Sequence, residues 1–261
     1  MSDTKQAVRT SIDYYKLGES YYYGDGVKQN PTEAIKWLKL AADHGHPIAL
    51  HYMGMVYYEG KILPQDYHRA ITYFFIAEAQ GIIDSSFMLG VIYYKGGGID
   101  KDEEVAFHHF MLAADEGDAY AQFNVGIHYY NGYGVKKDLE KAFEYFHLAA
   151  QQGIDNAQFN IGFLYHYGQG VKQNYEEAAR WYEKAMAQGK EDATFKLSLI
   201  TPKLHESGYH ANKYQMNLVL RLVSVCIKFP EKCNQNVIVT IKKRSDFWSN
   251  LLIISSRDDR I

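Results

Sequence analysis

Residues 121–153 read AQFNVGIHYYNGYGVKKDLEKAFEYFHLAAQQG, and this stretch decides the fold because its pattern recurs every 36 residues along the chain. Five copies follow one another without an insertion, and six positions are identical in all five. The six columns begin at Gly18, Tyr21, Gly24, Ala34, Ala41 and Gly45. Self-similarity at such a period predicts a stack of repeats, in which each repeat buries its apolar face against its neighbours.

Each copy is predicted to form two helices joined by a glycine-rich loop. An aliphatic residue stands four positions before each repeated tyrosine, so both lie on one face of a first helix. The second helix is expected to start after an Asn or Asp N-cap, at Asn30, Asp66, Asp102, Asp138 and Asn174. Glu33 and Glu177 stand three residues after their caps, which predicts capping boxes. The column of Gly45 suits the left-handed residue that ends a helix.

The small residues of the pattern are expected where the two helices touch. A side chain in the column of Gly18 would hold the helices apart, and the columns of Ala34 and Ala41 share one face of the second helix. Each loop is expected to bury one aliphatic residue, namely Val27, Leu63, Ile99, Val135 and Val171. The second loop is expected to differ in shape because Ile62 replaces a glycine and Pro64 follows the aliphatic residue.

The pattern divides the chain into three parts. Residues 1–12 form a lead-in, residues 13–200 hold the five repeats and a partial sixth, and residues 201–261 are a C-terminal extension of unknown fold. The sixth copy begins at Ala193, loses the pattern at Thr201, and is expected to cap the array.

The repeat resembles the Sel-one-like repeat family, which is related to the tetratricopeptide repeats. Residues 121–153 match almost letter for letter the family pattern A-x-x-x-L-G-x-x-Y-x-x-G-x-G-V-x-x-D-x-x-x-A-x-x-W/Y-x-x-x-A-A-x-x-G. The resemblance covers about residues 13–200 and implies an all-α, right-handed α/α superhelical solenoid of helix–turn–helix repeats. It also implies a non-enzymatic adaptor that holds proteins together. A cysteine-rich branch of the family is linked to β-lactam binding and hydrolysis, but the repeats of this chain contain no cysteine.

Two positions on each first helix, at −2 and +5 from the repeated glycine, are predicted to face away from the core. They vary most between copies, and in the related tetratricopeptide domains the first helices line a concave peptide-binding groove. Amide and ammonium groups there are expected to hold the backbone or carboxylate of a peptide, with tyrosines as anchors. The predicted polar contacts are Lys16, Lys95, Asn124, Asn131 and Asn160, and the predicted anchors are Tyr23, Tyr52 and Tyr167. The alternative is a solvated face without a ligand.

A further aromatic column lies at +4, at the border of the core face. Its members are Tyr22, Tyr58, Tyr94, Tyr130 and His166. Packing between neighbouring repeats is the favoured interpretation, and a ladder of ligand contacts is the alternative.

Charge and cysteine usage narrow the class of protein. The net charge of −3 divides into +5 for residues 201–261 and −8 for residues 1–200, which makes the repeats poor binders of nucleic acid. Only Cys226 and Cys233 are present, both in the extension, which disfavours a disulfide-stapled secreted scaffold. The sequence shows neither a secretory signal nor an apolar run long enough to span a membrane. A cytoplasmic protein is therefore expected, with non-classical export as an open alternative.

Motifs for catalysis or cofactor binding are absent from the sequence. It contains no HExxH, GxGxxG, P-loop or GxSxG pattern, so no catalytic residue, metal or cofactor is predicted. His108 and His109 are interpreted as helix-surface residues and not as metal ligands. A zinc set of His205, His210, Cys226 and Cys233 is disfavoured by its spacing.

The extension contains the apolar segment Met216–Phe229 and the basic cluster Lys242–Arg244. It could pack on the acidic repeats, bind a partner or a membrane surface, or promote self-association. The leading hypothesis is a scaffold that grips a protein or peptide in the groove. A hydrolase of β-lactam or cell-wall-related compounds and a secreted effector that uses the same scaffold on host proteins are the alternatives.

Overall fold

The computed structural model of the chain describes residues 10–206, which form eleven α-helices and no strand. The helices are α1 (Ser11–Tyr23), α2 (Pro31–Asp43), α3 (Pro47–Glu59), α4 (Tyr67–Glu78), α5 (Ile83–Lys95), α6 (Glu103–Asp115), α7 (Ala119–Asn131), α8 (Leu139–Gln151), α9 (Asp155–Tyr167), α10 (Tyr175–Ala187) and α11 (Glu191–Glu206). Odd-numbered helices are the predicted first helices, and even-numbered helices are the second helices. Among these residues, no helix combines the length and apolarity that crossing a membrane requires.

The described residues divide into two compact units, one that ends at residue 152 and one that begins at residue 153. In the first unit, each first helix packs against the second helix of its own repeat, and α2, α4 and α6 also pack against the first helix that follows them. In the second unit, α10 packs against both α9 and α11. This alternating packing confirms the predicted all-α repeat solenoid.

The predicted caps of the second helices form, and their backbone amides make a bond that the local pattern does not predict. The side chain of Asn30 accepts a hydrogen bond from the amide of Glu33, as an N-cap does. The amide of Asn30 itself donates to the carbonyl of Tyr21 at 2.9 Å. The same bond joins each later cap to its repeated tyrosine, in the pairs Asp66–Tyr57, Asp102–Tyr93, Asp138–Tyr129 and Asn174–Tyr165. Every second helix is thereby tied to the end of its first helix.

This bond explains why the predicted capping boxes at Glu33 and Glu177 are wrong. A capping box needs the N-cap amide as donor to the glutamate side chain, and in both repeats the tyrosine carbonyl already accepts from it. The two glutamates instead form ion pairs with Lys36 and Arg180. A reciprocal capping box forms at the start of α1, between Thr10 and its neighbour three residues on.

The repeated glycine of the first helix allows the close approach that the sequence predicts. A Cβ atom at Gly126 would lie 2.6 Å from Cδ1 of Phe146, and Ala142 and Ala149 on the same second helix are fully buried. The repeated glycine that follows the cap of each second helix also has the predicted left-handed conformation, with a φ of 77° at Gly45.

The loops and the sixth copy differ in detail from the sequence pattern. The loop aliphatic residues are half-buried, not buried, in all five repeats. Ile62 has no positive φ, whereas glycines at the equivalent position of the other four repeats do, so the second loop differs as expected. In the sixth copy, Leu197 and Ile200 are buried, and α11 continues past residue 200 to Glu206.

Candidate binding surface on the first helices

The first helices of the first unit lie side by side. The rings of Tyr22 on α1 and Tyr52 on α3 are 6.5 Å apart, and Nδ1 of His51 on α3 lies 2.9 Å from Oγ of Ser85 on α5. The ring of Tyr94 on α5 packs 5.5 Å from that of a histidine on α7. The outward faces of α1, α3, α5 and α7 therefore form one continuous surface.

Four rows of residues make up this first-helix surface, because positions −6, −2, +1 and +5 from the repeated glycine share one side of a helix with about 100° per residue. The rows are Ile12, Ile48, Asp84 and Tyr120 at −6; Lys16, Tyr52, Met88 and Asn124 at −2; Glu19, Met55, Val91 and Ile127 at +1; and Tyr23, Glu59, Lys95 and Asn131 at +5.

The predicted contact residues of the first unit lie on this surface, with unequal exposure. Lys16, Tyr23, Lys95 and Asn131 are exposed, whereas Tyr52 and Asn124 are half-buried. Of these six, Tyr23 and Tyr52 lie near enough to interact electrostatically. Burial, the neighbouring Tyr23 and the Glu19 carboxylate raise the pKa of Tyr52 to about 12. Its phenol therefore stays protonated at neutral pH and can act as a donor.

The two predicted asparagines on α7 are partly engaged within their own helix. The Nδ2 atom of Asn124 donates to the carbonyl of Tyr120 at 2.7 Å, and that of Asn131 donates to the carbonyl of Ile127 at 3.1 Å. A primary amide has two N–H donors and a carbonyl oxygen. Each asparagine therefore keeps one donor and its acceptor for a ligand.

In the second and third repeats, the +4 column packs between repeats, as the favoured interpretation predicts. The Nζ atom of Lys95 on α5 donates to the hydroxyl of Tyr58 on α3 at 3.1 Å and lies 5.8 Å from the centre of its ring. Tyr94 packs against His128 and Tyr133 of the next repeat. Lys95 is thus a predicted contact residue whose ammonium already has a partner in the chain.

The row at +1 is the part of the surface that the repeat pattern did not single out. Met55, Val91 and Ile127 are half-buried although they lie opposite the core face. A rotation of about 100° per residue places +1 on the same side of the helix as −2 and +5, so the sequence alone could have predicted that this row faces outward. Apolar residues at that row resemble core positions, and their exposed side becomes evident only when the helices are placed side by side.

In the second unit, Asn160 is half-buried and Tyr167 is exposed, both on α9. The hydroxyl of Tyr167 accepts a hydrogen bond from Nζ of Lys196 on α11 at 3.2 Å. The same ammonium lies 5.2 Å from the centre of the Phe163 ring. The C-terminal repeats therefore present their own aromatic and basic cluster.

One sequence-based interpretation of the histidines is wrong. His109 is only 4% exposed, and its Nδ1 atom lies 2.8 Å from Oε1 of Glu78 on the preceding second helix. His108 is exposed, as predicted. Within residues 10–206, no three His, Cys, Asp or Glu side chains cluster as metal ligands would. Three members of the disfavoured zinc set, His210, Cys226 and Cys233, and the side chain of His205 lie outside the described residues.

The five copies match one family model in turn. The model of the Sel1 repeat matches residues 12–46, 47–82, 83–118, 119–154 and 155–190. The chain belongs to the Sel1 repeat family. Each match holds one first helix and one second helix, so the helix pairs of the fold are the units of the family. Sel1 repeat proteins are generally protein-interaction scaffolds and are typically not enzymes.

Two solved structures are similar to this Sel1 repeat protein. One is c5321, a protective antigen present in uropathogenic Escherichia coli strains that displays an SLR fold; it is 28% identical, with a TM-score of 0.76 over 88% of this chain. This chain spans only 48% of the length of c5321. A Sel1 repeat protein from Oxalobacter formigenes is 31% identical, with a TM-score of 0.68 over 87% of this chain and 91% of its own. Among curated proteins, no sequence matches this chain.

Proposed function

We propose that this Sel1 repeat protein is a binding scaffold that holds an extended segment of a partner protein along its first helices. The observation that carries the proposal is the half-buried apolar row of Met55, Val91 and Ile127, which crosses three neighbouring helices. This apolar row remains accessible on an otherwise polar helix face. When a partner covers it, the removal of apolar surface from water stabilises the complex.

The rows on either side of the apolar row supply the groups that would orient a partner. Tyr52 and Asn124 stand on one side, and Lys95 and Asn131 on the other. Asparagine amides pair with the alternating N–H and C=O groups of an extended backbone. Tyrosines combine a large apolar area with a hydroxyl, as anchors of protein interfaces do. Such a surface suits a polypeptide better than a small molecule.

The charge of the repeats selects the same class of partner. Residues 1–200 carry a net charge of −8, which repels the phosphate backbone of nucleic acids. Acidic side chains are also present on the first-helix surface, at Glu19, Glu59 and Asp84. A protein segment with apolar and basic residues is the partner that this surface complements.

Site-specific photo-crosslinking tests the proposal. A benzoylphenylalanine placed at Tyr23 or at Asn131 samples the first-helix surface, and one placed at Leu112 or Leu148 samples exposed positions on the second helices as a matched control. In cells of the source organism, discrete adducts are expected from the first pair only. Substitution of Val91 by Arg is expected to remove them while the helical circular dichroism spectrum is retained. Adducts that form equally from the second helices, or that survive in the folded Val91→Arg variant, would contradict the proposal.

A further inference from the structure

Four tyrosines and a carboxylate gather at the start of the first-helix surface. The rings of Tyr22 and Tyr23 meet edge to face at 4.9 Å, and the ring of Tyr52 tilts toward Tyr22 at 6.5 Å. The hydroxyl of Tyr15 donates to Oε1 of Glu19 at 2.6 Å. Tyr22 and Tyr23 are 43% and 66% exposed, so their rings are open to solvent. We refer to these five residues as the tyrosine cluster.

The members of the tyrosine cluster also interact electrostatically. The Glu19 carboxylate contributes to the raised pKa of both Tyr15 and Tyr52, although burial is the larger cause in each case. The cluster therefore combines the negative faces of several rings with a full negative charge, an arrangement that attracts cations.

In later repeats, a lysine ammonium lies over the ring of the tyrosine in the column of Tyr22. The ammonium of Lys95 lies 5.8 Å from the centre of the Tyr58 ring, and that of Lys101 lies 5.1 Å from the centre of the Tyr94 ring. In the fourth repeat, the ammonium of Lys137 lies 5.5 Å from the Tyr130 ring. In three successive repeats, the chain thus places one of its own lysines over the equivalent ring.

Within the described part of the chain, the first repeat lacks this internal cation. Glu59 holds the position from which Lys95 reaches back to the preceding repeat, and Gln29 holds the position of Lys101. The Gln29 amide instead donates to the backbone carbonyl of Tyr22 at 2.8 Å. Among residues 10–206, no lysine or arginine lies over the Tyr22 ring. The first repeat is thus served by a carboxylate at the position of Lys95 and by a neutral amide at the position of Lys101.

Glu19 is available to an external cation. Lys16 is the basic residue on the same face of α1, one turn away, and it is exposed. In the part of the chain that the structure describes, the two side chains form no ion pair, and the contact of Glu19 is the hydrogen bond it accepts from Tyr15. A carboxylate accepts several hydrogen bonds at once, so Glu19 can also receive those of an ammonium or guanidinium group.

From these contacts we propose that the tyrosine cluster is a subsite for a cationic side chain of the partner, that is, a lysine, a methylated lysine or an arginine. The external cation takes the place that the lysines of the later repeats take over their tyrosines, and the Glu19 carboxylate complements its charge. The Glu59 carboxylate already pairs with the ammonium of Lys61 at 2.9 Å. The assignment rests on the proposed function only in that the cation belongs to a partner protein. The subsite itself can be tested with a small molecule, independently of any partner.

The probe is acetyl-(Nε-trimethyl)lysine amide, paired with its neutral isostere, in which a tert-butyl group replaces the trimethylammonium group. Titration into the full chain carrying ¹³C-labelled tyrosine is expected to shift the ring resonances of Tyr22 and Tyr23, with much smaller shifts for Tyr58. The neutral isostere is expected to cause no comparable shifts, because it fills the same volume without a charge. Equal shifts with both compounds, or no shifts of Tyr22 and Tyr23, would overturn the proposal.

Two matched substitutions at Glu59 sharpen the test. Glu59→Lys installs the residue found at position 95, so its own ammonium is expected to cover the Tyr22 ring and to weaken probe binding about fivefold or more. Glu59→Gln removes the same charge without supplying a competing cation and is expected to weaken binding less. Tyr22→Leu, at an exposed position, is expected to match Glu59→Lys. If all three variants bind as the wild type does, the probe binds elsewhere and the subsite is refuted.

The outcome is separable from that of the crosslinking experiment. Probe binding at Tyr22 without adducts from the first-helix surface would leave the subsite standing and refute the scaffold surface. Adducts from the first helices without probe binding would refute the cation subsite alone.

Discussion

The imidazole of His109 on α6 and the carboxylate of Glu78 on α4 lie 2.8 Å apart, with side-chain exposures of 5% and 17%. The pair joins second helices of two successive repeats, 31 residues apart in sequence. Tyr93 stacks on one side of the imidazole with an interplanar angle of 9°, and Phe75 meets it edge-on. When one partner of such a buried polar contact is removed, the other loses its hydrogen bond among aromatic rings, and this destabilises the fold.

Removal of this carboxylate is therefore expected to destabilise the repeats. Glu78→Ala leaves a buried ring nitrogen without its partner and should lower the free energy of unfolding by about 1–3 kcal/mol. Glu78→Gln keeps an acceptor oxygen and should cost less. Urea unfolding followed by circular dichroism measures both. Asp43→Ala, which breaks the exposed pair with Lys39, is the control and should barely change the midpoint; equal losses in all three variants would contradict the prediction.

The stability of the protein is expected to fall in mild acid, in part because of His128. This residue is fully buried, its Nδ1 atom lies 2.8 Å from the carbonyl oxygen of Tyr133, and among residues 10–206 its Nε2 atom has no hydrogen-bond partner. Burial lowers its pKa, and the bond to Tyr133 opposes this effect only in part. The unfolded chain, with a pKa near 6.5, takes up the proton first as the pH falls. Stability is therefore full above about pH 6.5 and decreases below it.

Urea midpoints at about pH 7.5 and about pH 5.5 test this dependence. His128→Leu removes the titrating group and is expected to reduce the drop between the two conditions. The drop should not vanish, because burial also lowers the pKa of His46 and His51. His108→Leu, at an exposed position on the neighbouring helix, is the control. An unchanged pH dependence in His128→Leu would show that the buried imidazole is not responsible.

The repeated glycine of the first helix is expected to tolerate no side chain. In Gly126→Ala, the new methyl group would lie 2.6 Å from Cδ1 of Phe146. Overpacking of this kind should destabilise the protein by about 1–3 kcal/mol. The additional substitution Phe146→Leu makes room and should recover part of the loss, so the two effects should be non-additive in urea unfolding. Strictly additive losses would mean that the methyl group does not meet the ring.

Loss of the asparagine amides should weaken partner binding without unfolding the repeats. A partner crosslinked from the first helices should be retained less by the double variant Asn124→Ala/Asn131→Ala in a pull-down with purified components. Asn124→Ala alone should have the smaller effect, because one of its two donors is already bonded to the carbonyl of Tyr120. Leu112→Ala on the second helices is the control. Equal retention by all variants would place the binding surface elsewhere.

Much of the fold could be predicted from the sequence because its decisive contacts recur at a fixed spacing. The column of Gly126 predicts the close approach to the second helix, and Asp138 predicts its start. The contacts that were missed depend on tertiary partners. The capping box at Glu33 fails because the carbonyl of Tyr21 accepts from the cap amide, and His109 is buried because Glu78 comes from another repeat.

The candidate surface was predictable in outline for the same reason. Helical spacing alone locates Asn131 and Lys95 on the outward face, and the structure leaves both exposed. Helical spacing does not predict that Lys95 donates to Tyr58, since that bond depends on how two repeats stack. Helical spacing also does not predict that Val91 is only half-buried, because the neighbouring helices determine how much of its side chain is covered.

The bond from each cap amide to the tyrosine carbonyl nine residues earlier uses main-chain atoms at both ends. Only proline at the cap removes the N–H group that this bond needs. The bond at the junction of the two helices therefore does not depend on which side chains are present. The geometry of a repeat is thus insulated from changes on its surface. Surface residues such as Lys16, Tyr52 and Asn124 can therefore change independently of one another during evolution. Such changes can alter which partners bind while the repeats keep their fold.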